Sequence, residues 1–353
     1  MTQVLVVGYG KIGIIKSSIW QSLGAEVYVY DINKATNAAI LRDGYRVFRK
    51  DDFQSYDSII DISTPAGQHF NGLRWALDSI EHAPKAILIE KPLASSVTEI
   101  AQFIELLNNF NAYDISKRIF VNETYYSSTA LEYLRRQITL VNSKFRVNIE
   151  LSKNRLIDND NGRFFDLELG AVGIEVPHMI AILQVLGVRL ETLKSGSTTI
   201  LGSSNRIDNQ GFVYRLRNKD VSIDLASYLG DFRKTNDSLT TNYGVVRRLQ
   251  VVVGSATYTL EFDPAEGVPR YHSRLTIQHA DHEPEVLIMV DDHLKKHMDL
   301  FLRNEVKNIP PLLGISSALL TASLLVSIKK DSTTEIVSGY TEHTIAPQEV
   351  LIK

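Results

Sequence analysis

Glycine stands at 8, 10 and 13 in Gly8-Tyr9-Gly10-Lys11-Ile12-Gly13, between an apolar β-branched run and a helical stretch. A turn that holds a phosphate against main-chain N–H groups needs this spacing. Gly8 permits the tight turn, Gly10 lets the backbone approach a pyrophosphate, and Gly13 lets the helix pack close to the strand. The helix N-terminus then offers N–H groups and a positive dipole end to the phosphates. Tyr9, Lys11 and Ile12 complete the same turn. Asp31 closes the next strand, about 20 residues on, where a carboxylate accepts hydrogen bonds from both ribose hydroxyls and repels a 2′-phosphate. The pattern points to a dinucleotide site, with NAD(H) favoured over NADP(H). Two bland readings compete with it. One is a Gly-rich turn of another α/β fold; the other is an Asp31 that only begins a turn and caps the helix near Lys34. Lys34 could also tolerate a phosphate.

Around these residues the first third of the chain alternates strand and helix patterns. Strands are predicted over 3–7, 26–30, 58–63, 86–89 and 118–121, and helices over 12–23, 34–42, 67–80 and 97–109. This β-α-β-α rhythm predicts a doubly wound parallel sheet, a Rossmann domain over residues 1–122. From about residue 144 strands follow one another with little helix between them: 145–151, 211–216, 221–228, 249–253, 257–262, 274–278 and 286–290. That predicts an α+β domain over residues 123–353, with a mostly antiparallel sheet open on one face. Helices are expected around 177–186 and 292–306, and loops or hairpin connections at 203–211 and 230–244. Residues 311–328 carry no charge, but serines and threonine interrupt them, and Leu320, Leu324 and Ile328 recur at helical spacing. They read as a core helix, about 312–330, packed back on the first domain rather than as a membrane span.

Composition excludes several classes of chemistry. The 353 residues include no cysteine, which rules out disulfides, thiolate metal sites and cysteine nucleophiles and fits a reducing, cytoplasmic setting. A net charge of -3 gives no reason to expect nucleic acid or an anionic membrane. The N-terminal apolar run is too short for a secretory signal. His293 and His297 lie four apart on a predicted helix, a metal-binding spacing, but Lys295 and Lys296 lie between them and no acid accompanies them; they read as a solvated helical face, and no metal is expected. No nucleophile elbow and no Gly-Lys-Ser/Thr phosphate loop are present.

Three later segments carry a resemblance. Ser63-Thr64-Pro65 ends a predicted strand with His69 four residues beyond, Glu90-Lys91-Pro92 ends another, and Glu175-Val176-Pro177-His178 precedes an apolar stretch and Gly187. With the glycine turn, they make the chain resemble the glucose-fructose oxidoreductase / inositol dehydrogenase / MocA (Gfo/Idh/MocA) family over most of its length. The resemblance implies a Rossmann domain followed by an α/β domain whose open sheet forms a homodimer or homotetramer interface. It implies redox chemistry at a hydroxyl-bearing carbon of a sugar, a cyclitol or a related compound. It further implies that Lys91 lies in the active site, that Glu90 lies near the nicotinamide, that the Thr64-Pro65 turn passes the cofactor ribose, and that the Lys91–Pro92 peptide is cis.

The chemistry so implied needs a proton acceptor within reach of the substrate hydroxyl. Lys91, at the C-terminal end of a parallel strand, points into the crevice where such folds bind ligands, and burial there lowers its pKa towards neutrality. His178 is the second catalytic candidate. Pro177 suits the first position of a helix, so His178 would lie in the first turn, where the dipole keeps the ring neutral. Against these stand a surface lysine and a histidine that merely bonds the backbone. The family's usual aspartates beside this histidine are replaced: Ile174 stands four residues before it and Ala181 three after, with Glu175 the nearest acid. Glu175 is expected to orient His178, bind a substrate hydroxyl or cap the helix. Asn122 and Tyr126 fall at the crossover between the domains, where either could touch the substrate or simply make a polar crossover, and Arg163 in a stretch that would shape the substrate pocket. The expected function is an NAD(H)-dependent oxidoreductase; the competing class is a dinucleotide-binding sensor that keeps the fold without catalysis.

Overall fold

Val4 to Val7 are buried on both faces, the pattern of a strand in the middle of a parallel sheet. In the computed structural model, which describes residues 1–109, 115–138, 143–155, 168–203, 211–230, 232–234, 239–241 and 244–337, they form β1 (Gln3–Val7). With β2 (Glu26–Tyr30), β3 (Arg46–Val47), β4 (Ile59–Ile62), β5 (Ala86–Glu90) and β6 (Ile119–Asn122) it builds a six-stranded sheet of order β3-β2-β1-β4-β5-β6. Every pairing in it is parallel. The order reverses between β1 and β4, so the crevice at this switch point opens over the ends of β1, β4, β5 and β6. The two-residue β3 was not expected from the sequence.

Helices α1 (Lys11–Ser22), α2 (Asn37–Arg42), α3 (His69–Ser79) and α4 (Val97–Asn109) connect these strands. The helix expected over 34–42 is split: Asn33 caps a tight 3-10 turn at Lys34–Thr36 before α2 begins. α5 (Thr129–Gln137) follows the sheet, its first turn capped by Ser128, whose Oγ accepts from Leu131 N at 3.1 Å.

The second sheet has nine strands, in chain order β7 (Phe145–Ser152), β8 (Ser197–Ser203), β9 (Gly211–Arg217), β10 (Val221–Tyr228), β13 (Val246–Val253), β14 (Ala256–Glu261), β15 (His272–Gln278), β16 (Glu285–Val290) and β17 (Thr333–Val337). Across the sheet they run β16-β15-β14-β13-β7-β10-β9-β8-β17. All neighbours are antiparallel except β7 with β10 and β8 with β17. β14 shows why one face is covered: its residues alternate buried and half-buried along the strand. The fold class matches the expectation. Two polar strands at one end of the sheet, β8 and the edge strand β17, escaped it because Ser, Thr and Glu dominate them. Within 230–244, β11 (Phe232–Lys234) and β12 (Leu239–Thr241) pair as a hairpin.

The buried face of this sheet packs against α6 (Ala171–Val185), whose Val172, Val176, Met179 and Ile180 are fully buried. α7 (His293–Arg303) leads to α8 (Ile315–Lys330). α8 joins the two cores: Ile315, Ala318 and Ala322 sit in that of the first sheet, Leu324, Leu325 and Ile328 in that of the second. Leu320, expected on the apolar stripe, is 61% exposed, because the contact face runs through the small residues Ala318 and Ala322 instead. Among the described residues no helix is long and apolar enough to cross a membrane.

Candidate active site

The three glycines are distinguishable by what a Cβ would meet. Gly8 has φ +101° and packs on the next strand end, where a Cβ would lie 2.9 Å from Ser63 O. At Gly13 a Cβ would lie 2.0 Å from Gly8 O, so the helix can approach the strand only without one. At Gly10 nothing in the protein lies within 4 Å. That open space, at the N-cap of a helix with no side-chain cap, suits an approaching phosphate. Asp31 stands at the rim of the same cleft; Oδ2 accepts from Tyr9 N at 2.6 Å and Oδ1 from Asn33 N at 2.8 Å. Each oxygen keeps a second lone pair. Tyr30 stacks on Trp75 at 3.6 Å, and Lys34 Nζ lies 4.6 Å from the Tyr30 ring.

The cleft has a volume of about 1230 Å³ and runs from this turn over the strand ends to the second sheet. Ser63, Thr64, Pro65, Glu90, Lys91 and Asn122 line it. Among the described residues, the buried Thr64 Oγ1 and Asn122 Oδ1 along it have no hydrogen-bond partner. Orphaned buried acceptors are rare, and here they fit the polar groups of a bound nucleotide. His69 is buried behind them, its ring nitrogens 2.9 Å from Pro92 O and 3.0 Å from Thr64 O, and so ties the two turns together. The Lys91–Pro92 peptide is cis.

Beneath the cleft lies a charged cluster that sequence reasoning missed. Lys16 of α1 is fully buried and bonds both Asp61 and Glu90, the latter at 2.9 Å. Trp20 Nε1 donates to Asp61 Oδ2 at 2.7 Å, and Asn122 Nδ2 donates to Glu90. Burial works against the Lys16 ammonium, but its two carboxyl neighbours outweigh it and keep the lysine charged. Burial pushes Asp61 up, whereas Lys16, Asn122 and Lys91 hold the Glu90 carboxyl below its usual range. One signal was legible: Gly13, Lys16 or Ser17, and Trp20 recur at core-facing helical spacing, so a lysine there needed buried partners.

The catalytic candidates meet in the cleft, but with partners the sequence did not indicate. The helix carrying His178 begins at Ala171, six residues earlier than expected, and Pro177 lies inside it. Gly170, at φ 56°, starts it, and the proline removes the helical hydrogen bond to Gly173 O. His178 is therefore not in a first turn, and the dipole argument for its neutrality does not apply. Its ring is fixed instead by Glu123, which lies 2.8 Å from Nδ1 through Oε1. Glu175, expected beside His178, pairs with Arg155 at 2.7 Å. It cannot cap a helix whose first residue is four positions before it. Burial would raise the Glu123 carboxyl, but His178 and Lys91 hold it below its usual range. The Lys91 ammonium donates to Ile174 O. Burial lowers its pKa against the opposing pull of Glu175 and Glu123.

Other expectations are corrected. Tyr126 turns its hydroxyl to Gln184 Oε1 at 2.5 Å and is not among the residues lining the cleft, whereas Thr124 and Tyr125 are. His293 and His297 are not a solvated face. His297 is fully buried with Nδ1 3.1 Å from Ser127 Oγ, and His293 stacks on Tyr125 at 4.9 Å and lines the cleft. The two histidines share the face of α7 that also buries Phe301, while Lys295 and Lys296 occupy the other. Arg163 lies outside the described residues.

No family model matches the chain, and no curated protein matches it. Solved structures share its fold. UDP-N-acetylglucosamine 3-dehydrogenase GnnA from Acidithiobacillus ferrooxidans aligns with a TM-score of 0.69 at 13% identity, over 94% of this chain and 97% of that one. The 3-ketoreductase KijD10 from Actinomadura kijaniata, solved with NADP and TDP-benzene, aligns with a TM-score of 0.71 at 14% identity, over 95% of this chain and 99% of that one. At these identities the likeness is one of fold.

Proposed function

We propose that the chain is a nicotinamide-dependent oxidoreductase of the Gfo/Idh/MocA family. It would move a hydride between the cofactor and a carbinol or ketone carbon of a sugar, a cyclitol or a related derivative. Residues 1–122 form the dinucleotide domain and 123–353 the substrate domain, whose open sheet face joins copies of the chain as a dimer or tetramer. The observation that carries the proposal is one cleft lined by both the glycine turn and, beyond it, Lys91 and His178, the latter held from behind by Glu123.

The turn at residues 8–13 holds the pyrophosphate and Asp31 the ribose. Ser63, Thr64, Pro65, Glu90 and Asn122 flank the nicotinamide end, with His69 bracing them from behind. When bound, the cofactor supplies the hydride acceptor or donor. Lys91 is the main proton-transfer or hydroxyl-orienting group, its lowered pKa bringing the free amine within reach of milder pH. With Nδ1 facing the Glu123 carboxylate, the His178 tautomer that donates there leaves Nε2 as an acceptor. In the oxidising direction the substrate hydroxyl proton passes to this pair of groups; in the reducing direction they return it to the ketone oxygen. Asp31 favours NAD(H); the NADP in the ketoreductase of shared fold, and Lys34 beside Tyr30, lean the other way.

The test combines cofactor binding with turnover of a panel of polyols, sugars and aminocyclitols. Lys91→Ala should lower kcat by roughly 10²–10⁴-fold while leaving NADH affinity nearly intact. Wild-type turnover by Lys91→Ala would sink the assignment, and tight NADH binding without turnover of any alcohol would favour a sensor.

A further inference from the structure

Among the described residues two arginines line the cleft, and their environments differ. Arg155 is neutralised by Glu175. Arg247, on β13, donates Nη1 to the backbone oxygen of Asp263 at 2.9 Å, and among the described residues no carboxylate lies within 4.0 Å of its guanidinium. A guanidinium carries five N–H donors in a planar fork, so one backbone acceptor leaves most of that capacity unused. Of the acids whose charge reaches it, Glu175 pairs with Arg155, and Asp263 offers its backbone oxygen while its carboxylate lies beyond 4.0 Å. Other acids near the cleft are committed elsewhere. Asp291 accepts from Ser128 Oγ, Thr129 N and Ser273 Oγ at 2.7–2.8 Å. Asp292 caps α7, and Glu123 holds His178.

The surroundings of Arg247 also place it beside the reacting groups. Glu175 acts electrostatically on both Lys91 and Arg247. Tyr125, also in the field of Arg247, has its ring 5.2 Å from that of His178. At the rim stands Tyr271, held at φ 61° and 45% exposed. A half-buried cation with unused planar donors, lining the cleft, suits an oxyanion in the plane of its fork.

Resting on the oxidoreductase reading, we propose that the substrate carries an anionic substituent, a carboxylate or a phosphoester, that docks on Arg247 while its hydroxyl carbon meets Lys91 and His178. Arg247 is then the specificity-determining residue that separates acidic sugars from neutral ones.

The experiment is calorimetric titration of the NADH-loaded protein with glucose, glucuronate, glucose 6-phosphate and UDP-glucose, in wild type, Arg247→Met and Arg247→Lys. At least one anionic ligand should bind more than about tenfold tighter than glucose, and which one does so separates carboxylate from phosphoester. Arg247→Met should weaken that ligand about ten- to a hundredfold without changing glucose or NADH binding, and Arg247→Lys should recover part of the loss. Equal binding of neutral and anionic ligands, no binding of any anionic ligand, or an unchanged preference in Arg247→Met overturns the inference. If neither NADH nor NADPH binds the wild type, the oxidoreductase reading itself falls; if a cofactor binds and the anion preference is missing, only the role of Arg247 falls.

Discussion

Nδ1 of His178 lies 2.8 Å from Oε1 and 2.9 Å from Oε2 of Glu123, joining the middle of a helix on the second sheet to the residue that follows the last strand of the first. Both side chains are largely withdrawn from solvent, at 19% and 6% exposure. The contact fixes the imidazole plane and fixes which nitrogen faces the cleft. A carboxylate in this place also stabilises the imidazolium that forms when the ring takes a proton.

Replacing that charge without changing its shape is the direct test. Glu123→Gln keeps an acceptor for Nδ1–H but no longer offsets a positive ring. We expect kcat to fall about ten- to a hundredfold with little change in NADH affinity. Stopped-flow turnover alongside cofactor titration checks this. Equal losses in cofactor affinity and kcat would mean a collapsed cleft rather than a lost charge.

Acid stability should report on the neighbouring pair. Burial alone would raise the Glu175 carboxyl, but Arg155, His178 and Lys91 outweigh it and lower the group from 4.5 to about 2. The folded-state value lies below the unfolded one, so the stabilisation is complete above pH 4.5 and is lost as pH falls towards about 2. The shift corresponds to roughly 3 kcal/mol at neutral pH. Urea unfolding of the wild type should lose stability steeply through this window, and Glu175→Gln should flatten the loss. Parallel curves for the two proteins would count against the pairing.

The parallel sheet and its strand ends were legible because each strand is a short apolar run stopped by glycine or by a polar turn, and ligand chemistry sits on those stops. Gly8, Ser63, Lys91 and Asn122 stand on such stops, though the roles expected of Ser63 and Lys91 came from the family resemblance rather than from position alone. The pairing of Glu123 with His178 could not: it spans 55 residues and two elements, and no local pattern encodes it. Pro177 misled the reading of its helix because proline marks a first turn far more often than an interior. His293 and His297 were misjudged from their sequence neighbours, Lys295 and Lys296, although helical geometry puts residues four apart on one face and the lysines on another.

The proposed preference for NAD(H) turns on a carboxylate already holding two backbone N–H groups. Asp31→Ser should lose about 1–2 kcal/mol of stability with those bonds. It should also cut NADH affinity about tenfold while sparing or improving NADPH, because the repulsion of a 2′-phosphate goes with the charge. Fluorescence titration of both cofactors measures the ratio. If the ratio holds in the variant, Asp31 supports the turn but does not discriminate.

The last prediction separates folding from binding at residues three apart. A methyl group at Gly13 would lie 2.0 Å from Gly8 O, a backbone atom that cannot move without opening the turn. Gly13→Ala should therefore cost at least about 3 kcal/mol or prevent folding. At Gly10 the same methyl meets no protein atom within 4 Å, and φ is -78°, open to any residue. Gly10→Ala should stay within about 0.5 kcal/mol of the wild type yet lose more than about tenfold in NADH affinity, since the space it fills is the one a pyrophosphate needs. Thermal melts with and without NADH distinguish the two: Gly13→Ala melts early in both, and Gly10→Ala melts normally but gains nothing from the cofactor. A Gly10→Ala protein still stabilised by NADH to the wild-type extent would remove the phosphate from this turn.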